Sequence, residues 1–247
     1  MEYSTLNFLS ESEAAGSGDL FKGGAVRRPI IQVSVDIPTT EEAIEVARMA
    51  LRAGVDWLEV GTPLILFGGL TTIASFAREF SDRSIFADIK IVDGARKYVL
   101  FAAEHGAHYV SVCGTASDAT IRAAVAGGHD TGIKVVVDLY AAHDPVVRAR
   151  QVVAMGADLV YVHFGGDSYA EDPGRDDTAK VVPLVKAAVD VPVGVISFDT
   201  ETAVSYVRAG ADIVLIGHPF LRGAHAEAML TDYVRQVKAA GAGWPKL

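Results

Sequence analysis

The sequence predicts an eight-stranded (β/α)8 barrel with one catalytic domain over residues 29–247 and an N-terminal arm over residues 1–28. Three observations lead there. Four segments resemble one another: Arg52 to Val60, Glu104 to Val112, Ala154 to Val162 and Arg208 to Ile216 each read as a helix end, a glycine, a small residue, a polar residue and an apolar run. Their glycines, Gly54, Gly106, Gly156 and Gly210, recur at roughly 50 residues, too long for one βα unit and right for two. An apolar stretch also precedes each repeat, which brings the strands to eight, and barrels of this class run to about 250 residues as one domain.

The elements can be justified in order. Ile30–Asp36 is the first strand, and Thr39-Thr40-Glu41-Glu42 reads as a capping box opening the first helix. The glycine of each repeat suits the left-handed position that ends a helix, and the run after it is a strand. Ser84–Lys90, Lys134–Leu139 and Val191–Ile196 are the third, fifth and seventh strands. All are short, rich in Val and Ile and almost continuously apolar, as parallel strands covered on both faces should be. Asp144-Pro145 places an N-cap before a first-turn proline, and Asp199-Thr200-Glu201 opens a helix with acid near its positive end. A doubly wound open sheet is the alternative, but it rarely needs eight equal units.

Composition narrows the function. A net charge of -9 argues against nucleic acid or an anionic membrane as partner. The single Cys113 excludes an internal disulfide and suits a reducing, cytoplasmic setting. No apolar run reaches the ~18 residues of a membrane span. The N-terminus carries Glu2, Glu11 and Glu13 without a basic start or a long apolar run, unlike a signal peptide. With five glycines and serines between Gly16 and Gly24 it reads as a loosely held arm or one that packs on a partner subunit.

In a barrel of this kind the active site lies at the C-terminal ends of the strands. Those ends carry Asp36, Glu59, Asp88 with Lys90, Ser111 with Cys113, Asp138, His163, Ser197 and His218. The densest stretch is Phe86 to Asp93. Strand alternation puts Phe86, Asp88 and Lys90 on one face, and Asp93 follows three residues past Lys90, where the strand should have ended. Simpler roles exist for several of these: Asp36 as a turn former before Pro38, Asp138 as a helix cap, the Asp88/Lys90 pair as a structural ion pair, Cys113 as a small buried filler. His105, His108, His129, His143 and His225 fall on helices or at their ends and read as surface or packing residues. Several carboxylates around one cavity repel, and a lysine and a divalent cation are the usual remedies. Oxygen ligands from two strand ends, completed by water and substrate, describe a Mg²⁺ site. Such a site suits an enolate-type intermediate on a small polyol. Neighbouring carboxylates raise the lysine pKa, which disfavours a Schiff base.

Asp88-Ile-Lys90-Ile-Val-Asp93 resembles the Asp-x-Lys-x-x-Asp motif of the orotidine 5′-monophosphate decarboxylase suprafamily of barrels. Glu59 to Leu64, Val135 to Asp138 and His163 resemble the branch holding 3-hexulose-6-phosphate synthase and 3-keto-L-gulonate-6-phosphate decarboxylase. The resemblance implies that Glu59 and Asp88 are Mg²⁺ ligands and that Asp36 and Lys90 contact the substrate near its reacting carbons. It implies His163 as the acid/base at an enediolate and Asp138 as the group orienting substrate hydroxyls. It also implies a homodimer, with Asp93 reaching into the other subunit's site. Asp138 and Gly165-Gly166-Asp167 look more like the synthase. The chain departs from the pattern at the last two strands. The family holds phosphate with a Gly-Gly turn and a Gly-Arg, where this chain has Ser197-Phe198-Asp199 and Gly217-His218. Ser197, Gly217 and a protonated His218 then make a weaker phosphate site, or the substrate lacks phosphate; Arg222 is expected about a turn into the last helix.

The expected activity is a Mg²⁺-dependent carbon–carbon lyase, an aldolase joining formaldehyde to a pentulose phosphate. The alternatives are decarboxylation of a keto sugar acid phosphate, or isomerisation or epimerisation of a related sugar.

Overall fold

The computed structural model describes residues 29–217 and 220–242. The expected arm over residues 1–28, the site residue His218 and the chain after residue 242 lie outside the described residues. In chain order the first half runs β1 Ile30–Val35, α1 Thr40–Arg52, β2 Trp57–Val60, α2 Thr62–Gly68, α3 Thr71–Glu79, β3 Ser84–Ile91, α4 Ala95–Glu104 and β4 Tyr109–Cys113. The second half runs α5 Asp118–Thr131, β5 Lys134–Asp138, α6 Pro145–Ala154, β6 Leu159–Val162, α7 Gly166–Glu171, a 3-10 turn Pro173–Arg175, α8 Thr178–Ala188, β7 Val193–Ile196, α9 Thr200–Ala209, β8 Ile213–Ile216 and α10 Ala226–Ala240. The eight strands are parallel and close into a barrel, β1 pairing with both β2 and β8. Two helices beyond one per strand, α2 and α7, follow β2 and β6 and so stand at the C-terminal mouth.

The repeat seen in the sequence has a physical cause at the floor of the barrel. Gly54, Gly106, Gly156 and Gly210 all take left-handed backbone, with φ of 97°, 85°, 103° and 110°, which a side chain would strain. The polar residue two positions on then turns back to the preceding strand. Asp56 accepts the N–H of Ile31 at 2.7 Å, Asp158 that of Val135 at 2.8 Å and Asp212 that of Val193 at 2.8 Å. In the second repeat His108 Nδ1 accepts the N–H of Ile85 at 3.1 Å, and burial lowers its pKa, which keeps the acceptor lone pair free. Every second strand therefore begins with its backbone donor satisfied by the repeat that follows it.

Between strands and helices lies a continuous shell of buried Val, Ile, Ala and Leu. Inside the barrel the lower level is aromatic. Trp57 stacks on Tyr109 at 4.4 Å between ring centroids, and Phe86 lies 6.2 Å from Tyr109 and 5.8 Å from Tyr161. This plug closes the interior, so the polar residues of the strands gather above it.

Some local expectations change. Thr39 is the N-cap of α1 but its side chain makes no capping bond; Thr40 pairs instead with Thr72 of α3 at 3.3 Å, and Glu41 and Glu42 stand in solvent. The caps at Asp144 and Asp199 form, Asp144 accepting from Val146 and Val147 at 3.0 Å and Asp199 from Thr202 at 2.8 Å. β7 begins at Val193 rather than Val191 because Pro192 has no N–H for the ladder. Arg222 is exposed and precedes α10 rather than lying within it.

Candidate active site

The polar inner faces of the strands line one cavity of about 470 Å³ at the mouth of the barrel. β1 supplies Ser34 and, just past its end, Asp36; β2 supplies Glu59, β3 Asp88 and Lys90, β5 Asp138, and the end of β6 His163. Gly61 makes the approach of Asp36 possible, since a Cβ there would fall on its carboxylate.

Strict alternation does not bring Lys90 here. Ala87 pairs with Val110 and Ile91 with Val112, so the segment between is bulged, and Lys90 sits at φ 51°, unusual for a residue with a side chain. Ser111 holds the bulge on both sides: its Oγ accepts the Lys90 N–H at 2.8 Å and donates to Asp88 Oδ1 at 2.7 Å. Thr62, at the start of α2, donates to Asp88 Oδ2 at 2.7 Å. Lys90 Nζ then meets Asp88 Oδ2 at 2.5 Å and stands 3.7 Å from Asp138 Oδ2. Burial works against the ammonium, but Asp88, Asp138 and Glu59 outweigh it and raise its pKa, so the lysine stays charged and is no amine nucleophile.

Asp138 faces His163. Nδ1 of the imidazole lies 2.8 Å from Oδ2 and 3.1 Å from Oδ1, and Tyr140 N–H donates to Oδ1 at 3.0 Å. Burial alone would raise the Asp138 pKa; the His163 bond and charge, Lys90 and the Tyr140 amide together lower it. An ionised carboxylate only accepts, so Nδ1 carries the proton and Nε2 is the basic nitrogen. The Tyr140 ring lies 5.1 Å from the imidazole, in a space that Gly165 leaves open, for a Cβ there would come 2.3 Å from Tyr140. Asp138 is thus placed to orient His163.

Glu59 and Asp36 are the uncomfortable members. Glu59 is 3% exposed and its carboxyl pKa is raised well above the usual range by burial, then by Asp88. Asp36 is exposed at the rim, yet its carboxyl is raised by desolvation on the cavity side and again by Asp88. Among the described residues lining this cavity, Lys90 is the only Lys or Arg. The donor set fits a hard divalent cation: all oxygen, with lone pairs left on Glu59 after two accepted bonds and on Asp88 after three. Among the described residues, no group of three or more His, Cys, Asp or Glu is set to hold a metal ion alone.

Not every expected residue points into the cavity. Ser197 lines it, but its hydroxyl donates to Leu215 O at 2.9 Å and pairs with Tyr233 Oη at 2.7 Å, so the side chain belongs to the wall. Gly217 lines it through its backbone. Asp93 is exposed on the turn after β3 and is not part of this chain's cavity. Cys113 is a half-buried filler whose Sγ touches Lys90 O at 3.4 Å, its thiol pKa raised by burial. His129, His143 and His225 are exposed, and His105 is bonded to its own helix at 2.7 Å. Missing from the expectations were Gln32, Ser34, Thr62 and Tyr161. The signal for the first two was present, since Gln32, Ser34 and Asp36 alternate along one face of an otherwise apolar strand.

Comparison with known proteins gives a consistent picture. Residues 29–233 match the model of the orotidine 5′-phosphate decarboxylase / HUMPS family. The 3-hexulose-6-phosphate synthase of Mycobacterium gastri is 38% identical over 190 residues, 76% of this chain and 89% of that one. A crystal structure of 3-hexulose-6-phosphate synthase superposes with a TM-score of 0.77 at 32% identity, covering 85% of this chain and 99% of the other. A 3-keto-L-gulonate-6-phosphate decarboxylase from Vibrio cholerae shares the fold at a TM-score of 0.74 and 21% identity, covering 88% of this chain and 99% of that one.

Proposed function

The chain belongs to the orotidine 5′-phosphate decarboxylase / HUMPS family, and we propose that it is a Mg²⁺-dependent carbon–carbon lyase of the 3-hexulose-6-phosphate synthase type, adding formaldehyde to a pentulose phosphate through an enediolate. The observation that carries this reading is the convergence of Lys90 on Asp88 and Asp138, and of His163 on Asp138, at one cavity. The synthase relatives at 32–38% identity support the choice of reaction over decarboxylation.

The residues divide the work by chemistry. His163 Nε2 takes a proton from C1 of the ketose, and the electrons of that C–H bond spread over C1, C2 and their oxygens. C1 then attacks the formaldehyde carbon, the carbonyl π bond opens onto oxygen, and the imidazolium returns its proton there, so His163 ends neutral. Asp138 keeps the imidazole oriented and stabilises it while charged. Lys90 donates hydrogen bonds to the oxygens that become negative, with no proton released at its raised pKa. Asp36 accepts from a substrate hydroxyl. Glu59 and Asp88 are the groups that would hold Mg²⁺, which when bound supplies Lewis-acid stabilisation of charge on two adjacent oxygens. Asp93 serves a neighbouring subunit in a homodimer. It stands exposed beside Val92, 65% exposed, and ahead of the exposed Leu100 and Phe101 on α4, an apolar setting suited to a partner. A cytoplasmic location agrees with the lone thiol.

The test is direct. With D-ribulose 5-phosphate and formaldehyde the protein should consume both and yield a six-carbon ketose phosphate, lose activity in EDTA and regain it with Mg²⁺. Release of CO₂ from a keto sugar acid phosphate, with formaldehyde untouched, would instead assign the decarboxylase reaction. Solvent proton exchange without either carbon product would assign an isomerase.

A further inference from the structure

At the base of the cavity the barrel holds a polar chain that this chemistry uses only at Glu59. Tyr161 on β6 donates its hydroxyl to Gln32 Oε1 on β1 at 2.6 Å, across the interior. Gln32 Nε2 donates in turn to Glu59 Oε2, and Ser34 Oγ donates to Glu59 Oε1 at 2.6 Å. All four residues are buried, Gln32 completely. A buried amide is costly unless both its ends are satisfied. Here the two ends are satisfied in only one orientation: Glu59 can only accept when ionised, and Tyr161 donates to the amide oxygen. The tyrosine thus fixes which way round the amide sits, and the amide fixes Glu59. Tyr161 itself depends on a hollow in the next strand, because a Cβ at Gly194 would lie 2.4 Å from its ring.

The other carboxylate of the site is held in the same manner from a different side, by Thr62, Ser111 and Lys90. We propose that Tyr161 and Gln32 are positioning residues that hold the Glu59 carboxylate in the orientation a divalent cation needs, so that metal affinity is set partly from within the barrel. This rests on the reading of Glu59 as a metal ligand given above. Partners that orient a ligand in this way usually matter for affinity by about 10- to 100-fold.

The experiment is a Mn²⁺ titration of the metal-free, full-length protein, followed by the electron paramagnetic resonance signal of the free ion, with a thermal melt alongside. Tyr161→Phe removes one oxygen and keeps the ring; Gln32→Met keeps the length and removes the amide. The expected result is a dissociation constant weaker by about 10-fold in the first and up to about 100-fold in the second. Equal Mn²⁺ affinity in wild type and Tyr161→Phe, whatever the melting temperatures, would overturn the proposal and leave the chain a structural one. Should Gln32→Met fail to fold, Tyr161→Phe decides alone. Failure of the wild-type protein to take up Mn²⁺ would overturn the metal reading itself, and this inference with it.

Discussion

At the floor of the barrel Asp56, Asp158 and Asp212 each accept a backbone N–H, and each has a lysine close by: Lys238 at 2.5 Å, Lys134 at 3.1 Å and Lys186 at 2.6 Å. At the mouth Asp36, Glu59 and Asp88 crowd one another around Lys90, and desolvation and mutual repulsion raise the first two in pKa. The same chemistry of carboxylate and ammonium serves folding at one end and is strained at the other. The floor repeats with the four-fold rhythm of the chain because every repeat solves the same problem, a strand that begins with an unpaired donor. The mouth does not repeat, because a reacting molecule has no four-fold symmetry.

If this contrast holds, removing a charge should act on activity at the mouth and on stability at the floor. The largest effect belongs to Lys90→Met, which removes the only lysine among the described residues lining the site. Turnover should fall about 10³- to 10⁴-fold, read as formaldehyde consumption, with the near-ultraviolet circular dichroism of a folded barrel retained. Turnover within a few-fold of wild type would place the chemistry elsewhere. Asp212→Ala is the counterpart at the floor. It leaves the Val193 N–H without its acceptor in a site where Asp212 is 1% exposed, and should cost about 2–3 kcal/mol. For a domain of this size that is a fall of roughly 5–10 °C in melting temperature, with kcat unchanged at a temperature where the protein remains folded.

Glu59→Gln sharpens the contrast by reversing its sign. The native pKa of Glu59 lies above its unfolded value, so the native state holds its proton when the unfolded state has lost it. Between those two values stability therefore falls as pH rises. Above the unfolded value the metal-free protein carries that loss, and the neutral amide relieves it. Glu59→Gln should raise the melting temperature of the metal-free protein at neutral pH by a few degrees, corresponding to about 1 kcal/mol, while abolishing turnover. The gain should vanish when the melt is run at a pH below the ordinary carboxylate range. A lower melting temperature at neutral pH would mean that Glu59 is a structural acid like those at the floor.

The same division decides what could be read from the sequence. The repeated glycines and the polar residue after the small one were legible because the backbone problem they solve recurs four times, and all four glycines take the left-handed conformation. Asp36, Glu59, Asp88, Lys90, Asp138 and His163 were legible as charge on apolar strands, and the cavity brings them together. The route of Lys90 into the site was not, because alternation assumes a regular ladder and the chain bulges after Asp88, held by Ser111. Nor was the Tyr161–Gln32–Glu59 chain. Its members lie on β6, β1 and β2, and only the closure of the barrel makes β6 face β1 across the interior. The expected capping box did not form at Thr39, and the neighbouring Thr40 takes a tertiary partner in Thr72 that no local pattern contains.

The last and smallest effect concerns the corner of the mouth beside β7. Phe198 lines the cavity and stacks on Tyr169 at 4.2 Å, while Asp199 places its own carboxylate on the α9 amides, accepting from Thr202, and takes the Tyr169 hydroxyl at 3.0 Å. A helix start that would attract a substrate phosphate is thus already served by an acid of the chain. Asp199→Ser keeps a capping oxygen and removes the charge. The KM for D-ribulose 5-phosphate should fall by about 5-fold, equivalent to ~1 kcal/mol for one like charge near a helix end, with kcat unchanged and with little effect on an unphosphorylated ketose. That selective gain would show that the acid at β7 tunes how tightly a phosphate is held. An equal change for both ketoses would mean that Asp199 acts only as a helix cap, and would move this corner of the mouth to the structural side of the comparison.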